Sequence, residues 1–490
     1  MKRMLPCQQT RSAIRRLGAE PVKAQANLKL EDPRILYFPV RHKEALHWDV
    51  SVVIGMRGAG KSLWTAALNN PGIRTIMARE WGVDLWNHLD VHVAFGQDLS
   101  EGGFPASSTL EELWRVMPSL DPVVLWKTVL FKRVVEEMGS CEAFMALTSW
   151  RARVEWVRDQ VEISNGLLQR FDQEWSRRGR KLLVVWDALD LLADDWNRMR
   201  LLARGALRFT QTLRMTTSMR GKLFLRPDMY EDDDLWTFAD SSKLKQSRVE
   251  LSWSSVDLYG LLLQRLINDP DHGAEIRAGL GMPDGDPDPV RGYGLPGDFR
   301  TEERVNEAIH AMAGAYMGSN RRRGNTHTWI PNHLADAKGR VSPRSLLLAM
   351  GAAARVTGER FPAHPQPLHY EAIRTGVATA SETRVDELAE DYPWIKPLVE
   401  ALSGLLVPCP AEELTSRWDG TTLQRMKKAG KLPPRRFTSD PVRAGNPMAL
   451  IDDLEELAVL WRISDGRINI PDIFRIQTGM KRKGGVPPVQ

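Results

Sequence analysis

The chain has 490 residues, a formal net charge of +5, 42% hydrophobic and 26% charged side chains, and three cysteines. That length exceeds a single hydrophobic core and implies about two to four domains, while the composition excludes disordered and disulfide-scaffold classes. Cys7, Cys141 and Cys409 lack metal-ligand spacing, no apolar run approaches the roughly 20 residues that cross a bilayer, and the expected setting is a reducing cytoplasm without membrane attachment.

Residues 1–30 are polar and basic (Arg11, Arg15, Arg16) without strong periodicity and are expected to form a flexible arm. The apolar run Ile35–Val40 leads toward the nucleotide fold and is a candidate for part of an adenine pocket. Val52-Val53-Ile54 reads as a buried strand, residues 55–62 read G-x-x-x-x-G-K-S, and Leu63–Leu68 reads as a helix start. Strand, glycine loop and helix N-terminus together are the context a P-loop requires. Backbone N–H groups of a loop free of bulky Cβ atoms surround phosphates, and the helix N-terminus adds a favourable field. Lys61 then bridges the β- and γ-phosphates, and the Ser62 hydroxyl holds Mg²⁺. Gly55, Arg57, Gly58, Ala59, Gly60 and Leu63 complete the expected nucleotide contact.

Arg74–Ala78 and Val91–Phe95 read as strands. Residues 108–177 read as a helical insertion, with Val154, Val157, Val161, Leu168, Phe171 and Trp175 at helical spacing. Lys181–Trp186 is a buried strand that ends in Asp187. A helix to about residue 215, strands Lys222–Leu225 and Arg248–Leu251, and a helix from Val256 follow. Residues 270–300, rich in Gly, Pro and Asp, read as a surface loop, and 301–358 as a helical block. Phe361–Pro367 is a Pro-rich boundary.

Asp187 supplies the acid a P-loop needs at the end of a neighbouring strand; the alternative is a helix N-cap. Asp190 completes Asp187-Ala188-Leu189-Asp190. With these residues the chain resembles the additional-strand P-loop ATPases, the group that holds AAA+, STAND and KAP-type proteins. The resemblance implies Mg²⁺ held by Ser62 and Asp187 and a carboxylate next to Asp187 that polarises water. That adjacent position is Ala188, so either Asp190 takes the role or hydrolysis is slow. It also implies a γ-phosphate sensor at Arg226, whose alternative is a surface arginine beside Pro227. Ser342 as N-cap and Pro343 at the first helical position place Arg344 at a helix start, where it resembles a lid arginine; the alternative is an exposed arginine. ATP and Mg²⁺ are the expected ligands, and no N-K-x-D guanine-reading motif occurs.

Residues 368–490 read as a separate module. Thr421–Leu432 has the layout of a short basic helix ended by Gly430, Arg435 and Arg436 follow, and no acid falls between Leu423 and Ser439. These features suit a winged helix–turn–helix that binds DNA through Lys427, Lys428, Lys431, Arg435 and Arg436, a protein-interaction element, or a solvated basic face. Arg321–Arg323 reads as solvated. The expected fold is an α/β P-loop NTPase core, a mostly parallel sheet flanked by helices. Its expected parts are a basic arm (1–30), the core (31–268) with the insertion at about 108–177, a linker and helical lid (269–360), and a helical, winged-helix-like domain (361–490). The whole resembles multidomain ATPases of bacterial conflict and antiphage systems. The resemblance implies slow ATP hydrolysis that switches the conformation or assembly of a complex with a protein partner or further copies of the chain. A DNA-dependent motor, a non-hydrolysing nucleotide-sensing scaffold and a small-molecule kinase are the alternatives.

Overall fold

The computed structural model describes residues 5–23, 33–97, 103–193, 195–283, 285, 292–429, 433–440 and 442–484. The described chain forms two compact units, one within residues 38–252, the other from the residues before 38 and those after 252.

The first unit is built on a five-stranded sheet: β1 (Val52–Ile54), β2 (Leu89–Phe95), β3 (Lys181–Trp186), β4 (Met219–Leu225) and β5 (Arg248–Glu250), in the order β2-β3-β4-β1-β5. Every pairing is parallel, with Ile54 opposite Leu225 and Trp186 opposite Leu223. The apolar runs of β1, β3 and β4 are buried because helices cover the faces of a parallel sheet. A parallel sheet flanked by helices fits an α/β P-loop core.

Residues 74–78, expected as a strand, belong to helix Pro71–Trp81. The local signals are those of a helix. Asn70 caps it by accepting from the Ile73 N–H, Pro71 occupies its first turn, and Gly82 ends it in the left-handed region. Ile73, Ile76 and Met77, at spacings of three and four, are the buried face.

The insertion comprises helices Ser107–Val116, Pro122–Met138, Glu142–Met145, Trp150–Asp159 and Val161–Arg177. The apolar stripe is two helices broken at Gln160 (φ −108°, ψ 56°), so Val154, Val157, Phe171 and Trp175 are buried while Val161 is exposed. Trp175 Nε1 donates to Asp90 at 2.9 Å and so anchors the insertion to β2.

In the second unit, Cys7–Lys23 is a helix where a flexible arm was expected. Ala13, Ile14 and Leu17 are buried, and Gly18 crosses Gly351 of helix Pro343–Arg360 so closely that a Cβ on Gly18 would lie 2.5 Å from the Gly351 Cα. Arg16 pairs with Asp269 and Asp271. The segment 270–300 contains helix Gly273–Leu280 and a single turn at Gly297–Arg300, whose Ile276 and Phe299 are buried. Helices Glu302–Ala313, Thr326–Leu334 and Pro343–Arg360 follow.

The Pro-rich stretch 361–367 joins helices that pack on each other. Gly376 of Tyr370–Asp391 approaches Ala349, where an added Cβ would come 2.1 Å from the carbonyl oxygen. One buried cluster therefore runs from Leu5 to Met480. Near the C-terminus are helices Ile395–Glu400, Ala411–Thr415, Gly420–Lys428, Arg435–Ser439 and Pro447–Glu456. Two small sheets accompany them: β6 (Leu406–Val407) pairs in parallel with β9 (Lys481–Arg482), and β7 (Trp461–Arg462) pairs antiparallel with β8 (Ile468–Asn469). Among the described residues no helix is long and apolar enough to cross a membrane.

Candidate functional site

The carboxyl ends of β1, β4 and β3 place one group of side chains together, where ligands of parallel α/β sheets bind. After β1, Gly58 (φ +80°) and Gly60 (φ +101°) take left-handed conformations that turn the loop into helix Lys61–Asn69. A Cβ on Gly55 would come 3.0 Å from the Lys61 Cγ, so the lysine stem lies against the loop. Lys61 Nζ donates to the carbonyls of Gly55 (2.7 Å) and Met56 (3.1 Å). Burial pushes its pKa down to about 8, against the opposing pull of Asp187 and Asp190. Arg57, Ser62 and Leu63 are half-buried at the loop and helix start.

Asp187 leaves β3 with 1% of its surface exposed. Its own N–H is tied to the Phe95 carbonyl at 2.9 Å, and Ala188 follows at φ +51°. Burial raises the Asp187 pKa, and the Ser62 hydroxyl, the Lys61 charge and the Ala188 N–H oppose that rise. Oδ1 of the carboxylate is buried without a hydrogen-bond partner among the described residues. An orphaned carboxylate oxygen beside a serine hydroxyl fits a hard divalent cation, and the left-handed glycines fit a phosphate cradle. No cluster of three or more His, Cys, Asp or Glu capable of holding a metal occurs among the described residues.

Arg226 begins the turn after β4 and is nearly buried. Its Nε and Nη2 donate to Asp228 at 3.2 and 2.9 Å, and Nη1 lies 3.7 Å from Asp190. Asp190, with a side chain 37% exposed, is the open carboxylate of the group. The structure thus brings Lys61, Ser62, Asp187, Asp190 and Arg226 together. Asp228 was missed by the sequence reading, although Arg226-Pro227-Asp228 after an apolar strand carries the signal: Pro227 starts a short helix and Asp228 falls in its first turn. Buried Lys222 was missed as well; it donates to the carbonyls of Ala45, His47 and Val50 and so fixes the chain that enters β1.

Phe38, from the adenine-pocket candidate, is 1% exposed and packs on Trp64 and Trp81. It supports the P-loop helix and offers no open face to a base. Trp64 Nε1 donates to His42 Nδ1 at 3.0 Å, which leaves the ring proton on Nε2, donating to the Ser252 carbonyl at 3.1 Å.

Arg344 lies in the second unit, where it donates to Glu387 at 2.7 Å. Pro343 starts that helix as expected, but the Ser342 hydroxyl is buried, makes no cap hydrogen bond and has no partner among the described residues. The basic stretch is less free than its sequence implies. Arg436 reaches Glu456 at 2.5 Å and Asp453 at 3.7 Å, and Arg435 lies 3.9 Å from Glu456. Acids from helix Pro447–Glu456 thereby answer bases that have none nearby in sequence. Lys427 sits over the Phe437 ring at 5.8 Å and Lys428 is exposed; Lys431 lies outside the described residues. Arg321–Arg323 form one exposed turn.

No protein-family model and no curated protein matches the sequence. Among solved structures, the chain is similar to the Aeropyrum pernix ORC2 protein determined as ADPNP–ADP complexes, at 12% identity and a TM-score of 0.37, covering 89% of this chain and 87% of that one. A likeness of that degree carries no argument here, and the functional reading rests on the site itself.

Proposed function

We propose that the chain is a Mg²⁺-dependent ATP-binding protein that hydrolyses ATP slowly and switches the conformation or assembly of a larger complex. The observation that carries this reading is the buried Asp187 with its orphaned Oδ1, whose charged form the half-buried Ser62 hydroxyl favours, set beside a loop that two left-handed glycines shape. Interposition of β4 between P-loop strand β1 and acid-bearing β3 supports membership of the additional-strand group.

In this reading the backbone N–H groups of residues 55–62 and the start of helix Lys61–Asn69 bind the phosphates. Lys61 exchanges its two loop carbonyls for phosphate oxygens, which favours its charged form. Ser62 and Asp187 hold Mg²⁺, whose chemistry is to neutralise charge on the phosphates. Asp190 orients and deprotonates the attacking water, and Arg226 meets charge at the terminal phosphate. Hydrolysis is slow because Ala188 stands where a carboxylate would be nearest, and Asp190 divides its charge with Arg226. A lid role for Arg344 rests on the sequence resemblance. A role in antiphage defence rests on the sequence resemblance. Ala188 also favours a second reading, a non-hydrolysing nucleotide sensor.

Titration calorimetry with Mg²⁺ and a non-hydrolysable ATP analogue tests the binding site. Lys61→Ala is expected to weaken binding at least tenfold, about 1.4 kcal/mol; unchanged affinity would place the nucleotide elsewhere. Turnover measured with and without DNA separates a switch from a DNA-dependent motor, and a phosphorylated small-molecule product would reveal a kinase.

A further inference from the structure

We propose that Ala411–Thr415 and Gly420–Lys428 form a helix–turn–helix that reads duplex DNA in the major groove, with Gln424 and Arg425 facing base edges. Trp418, 3% exposed, fills the turn, and its indole N–H donates to the Leu398 carbonyl at 3.0 Å. Asp419 caps the second helix by accepting from the Thr422 N–H at 2.7 Å. Thr422 and Met426 point inward, so Thr421, Gln424, Arg425 and Lys428 form an exposed face at i, i+3, i+4 and i+7. Cys409, two residues before the first helix, bridges Ile468 of β8, and β8 pairs with β7. That bridge ties the residues leading into the first helix to a hairpin that turns at Gly466 (φ +84°). That layout offers a helix to the groove and a hairpin to the adjacent backbone.

The chemistry of the face selects the partner. A glutamine amide matches adenine N6 and N7, and an arginine fork matches guanine O6 and N7. Arg425 is held by Glu400 at 2.8 Å, but both side chains are about half exposed, so this pair is weak and exchanges readily. Among the described residues Arg417 and Lys428 have no carboxylate partner, which leaves them for phosphates. Arg436, by contrast, is answered by Asp453 and Glu456 and is structural. Protein interfaces centre on aromatic and apolar side chains, and none of the exposed large hydrophobics among the described residues lies on this helix.

The test uses the full chain and a fluorescent duplex of about 30 base pairs with randomised sequence, followed by anisotropy at roughly 50 and 200 mM salt. Wild type is expected to bind with steep salt dependence, and Arg417→Ala with Lys428→Ala to flatten the log–log slope by about 1.8, two phosphates' worth. In selection from the pool, Arg425→Ala and Gln424→Ala are each expected to weaken the chosen site about tenfold and relax one base preference. Glu400→Ala, which releases Arg425, is expected to strengthen binding, a direction that misfolding cannot imitate. Absence of salt-dependent duplex binding, equal affinity for single strands, or unchanged affinity in Arg425→Ala would overturn the proposal. So would loss of a protein complex in these variants without any duplex affinity in the wild type. Lys61→Ala is expected to keep duplex binding in the absence of nucleotide, so failure at either site is read separately.

Discussion

Asp187→Asn is expected to stabilise the nucleotide-free chain by about 1 kcal/mol while removing most of its Mg²⁺-dependent stabilisation by nucleotide. In the wild type one carboxylate is buried, the Ser62 hydroxyl, Lys61 charge and Ala188 N–H favour its charged form, and Oδ1 is unpartnered among the described residues. A buried polar atom without a partner costs about 1–3 kcal/mol, and more when it is charged. Asparagine keeps the shape and one acceptor oxygen, but its second group is a neutral amide, so part of that cost disappears. Ligand reverses the sign. With Mg²⁺ and an ATP analogue at a hundred times Kd, the wild type gains about 2.7 kcal/mol, whereas the variant lacks the anionic oxygen and is expected to gain less than half of that. Urea denaturation followed by tryptophan fluorescence, with and without Mg²⁺ and analogue, measures both quantities. A variant less stable than wild type without ligand, yet equally stabilised by it, would refute the reasoning and make Asp187 a structural cap.

Asp190→Asn is expected to keep analogue affinity within about twofold and to lower turnover roughly a hundredfold, as loss of a general base does; single-turnover hydrolysis measures this, and a parental rate would exclude Asp190. Asp228→Asn removes the two-point anchor of a nearly buried Arg226 and is expected to cost about 2 kcal/mol or more in denaturation, with turnover falling further than affinity. His42, fully buried, has its pKa pushed from 6.5 down to about 4 by burial. The unfolded chain therefore binds the extra proton across that window, and stability present above pH 6.5 is lost as pH falls toward 4. Between pH 6.5 and 5 the wild type is expected to lose about 2 kcal/mol more than His42→Leu, whose site does not titrate; parallel stability curves would contradict it.

How much was legible follows from the range of the interactions involved. The P-loop could be read because strand, glycines, lysine and helix start are contiguous, and β3 because its apolar run ends abruptly in Asp187. Helix Pro71–Trp81 was equally local. Its Asn-Pro start and Gly82 stop were present in the sequence, but the segment Arg74–Ala78 was read with the wrong period. Cys7–Lys23 was harder to read: isolated from its partner it is polar and carries a proline, and only the close Gly18–Gly351 crossing gives its apolar face somewhere to go.

By itself, then, the sequence determined which elements bear the glycine loop, Lys61 and the strand-ending Asp187, since backbone turns, helix starts and strand ends are set by neighbours a few residues apart. The tertiary structure alone decided which charges are spent. Arg344 meets Glu387 from a different helix, Arg436 meets Asp453 and Glu456, and Arg226 is shared between Asp228 and Asp190. A charge's freedom to meet a ligand depends on carboxylates brought near it by packing, and packing is a property of the whole fold rather than of any one segment.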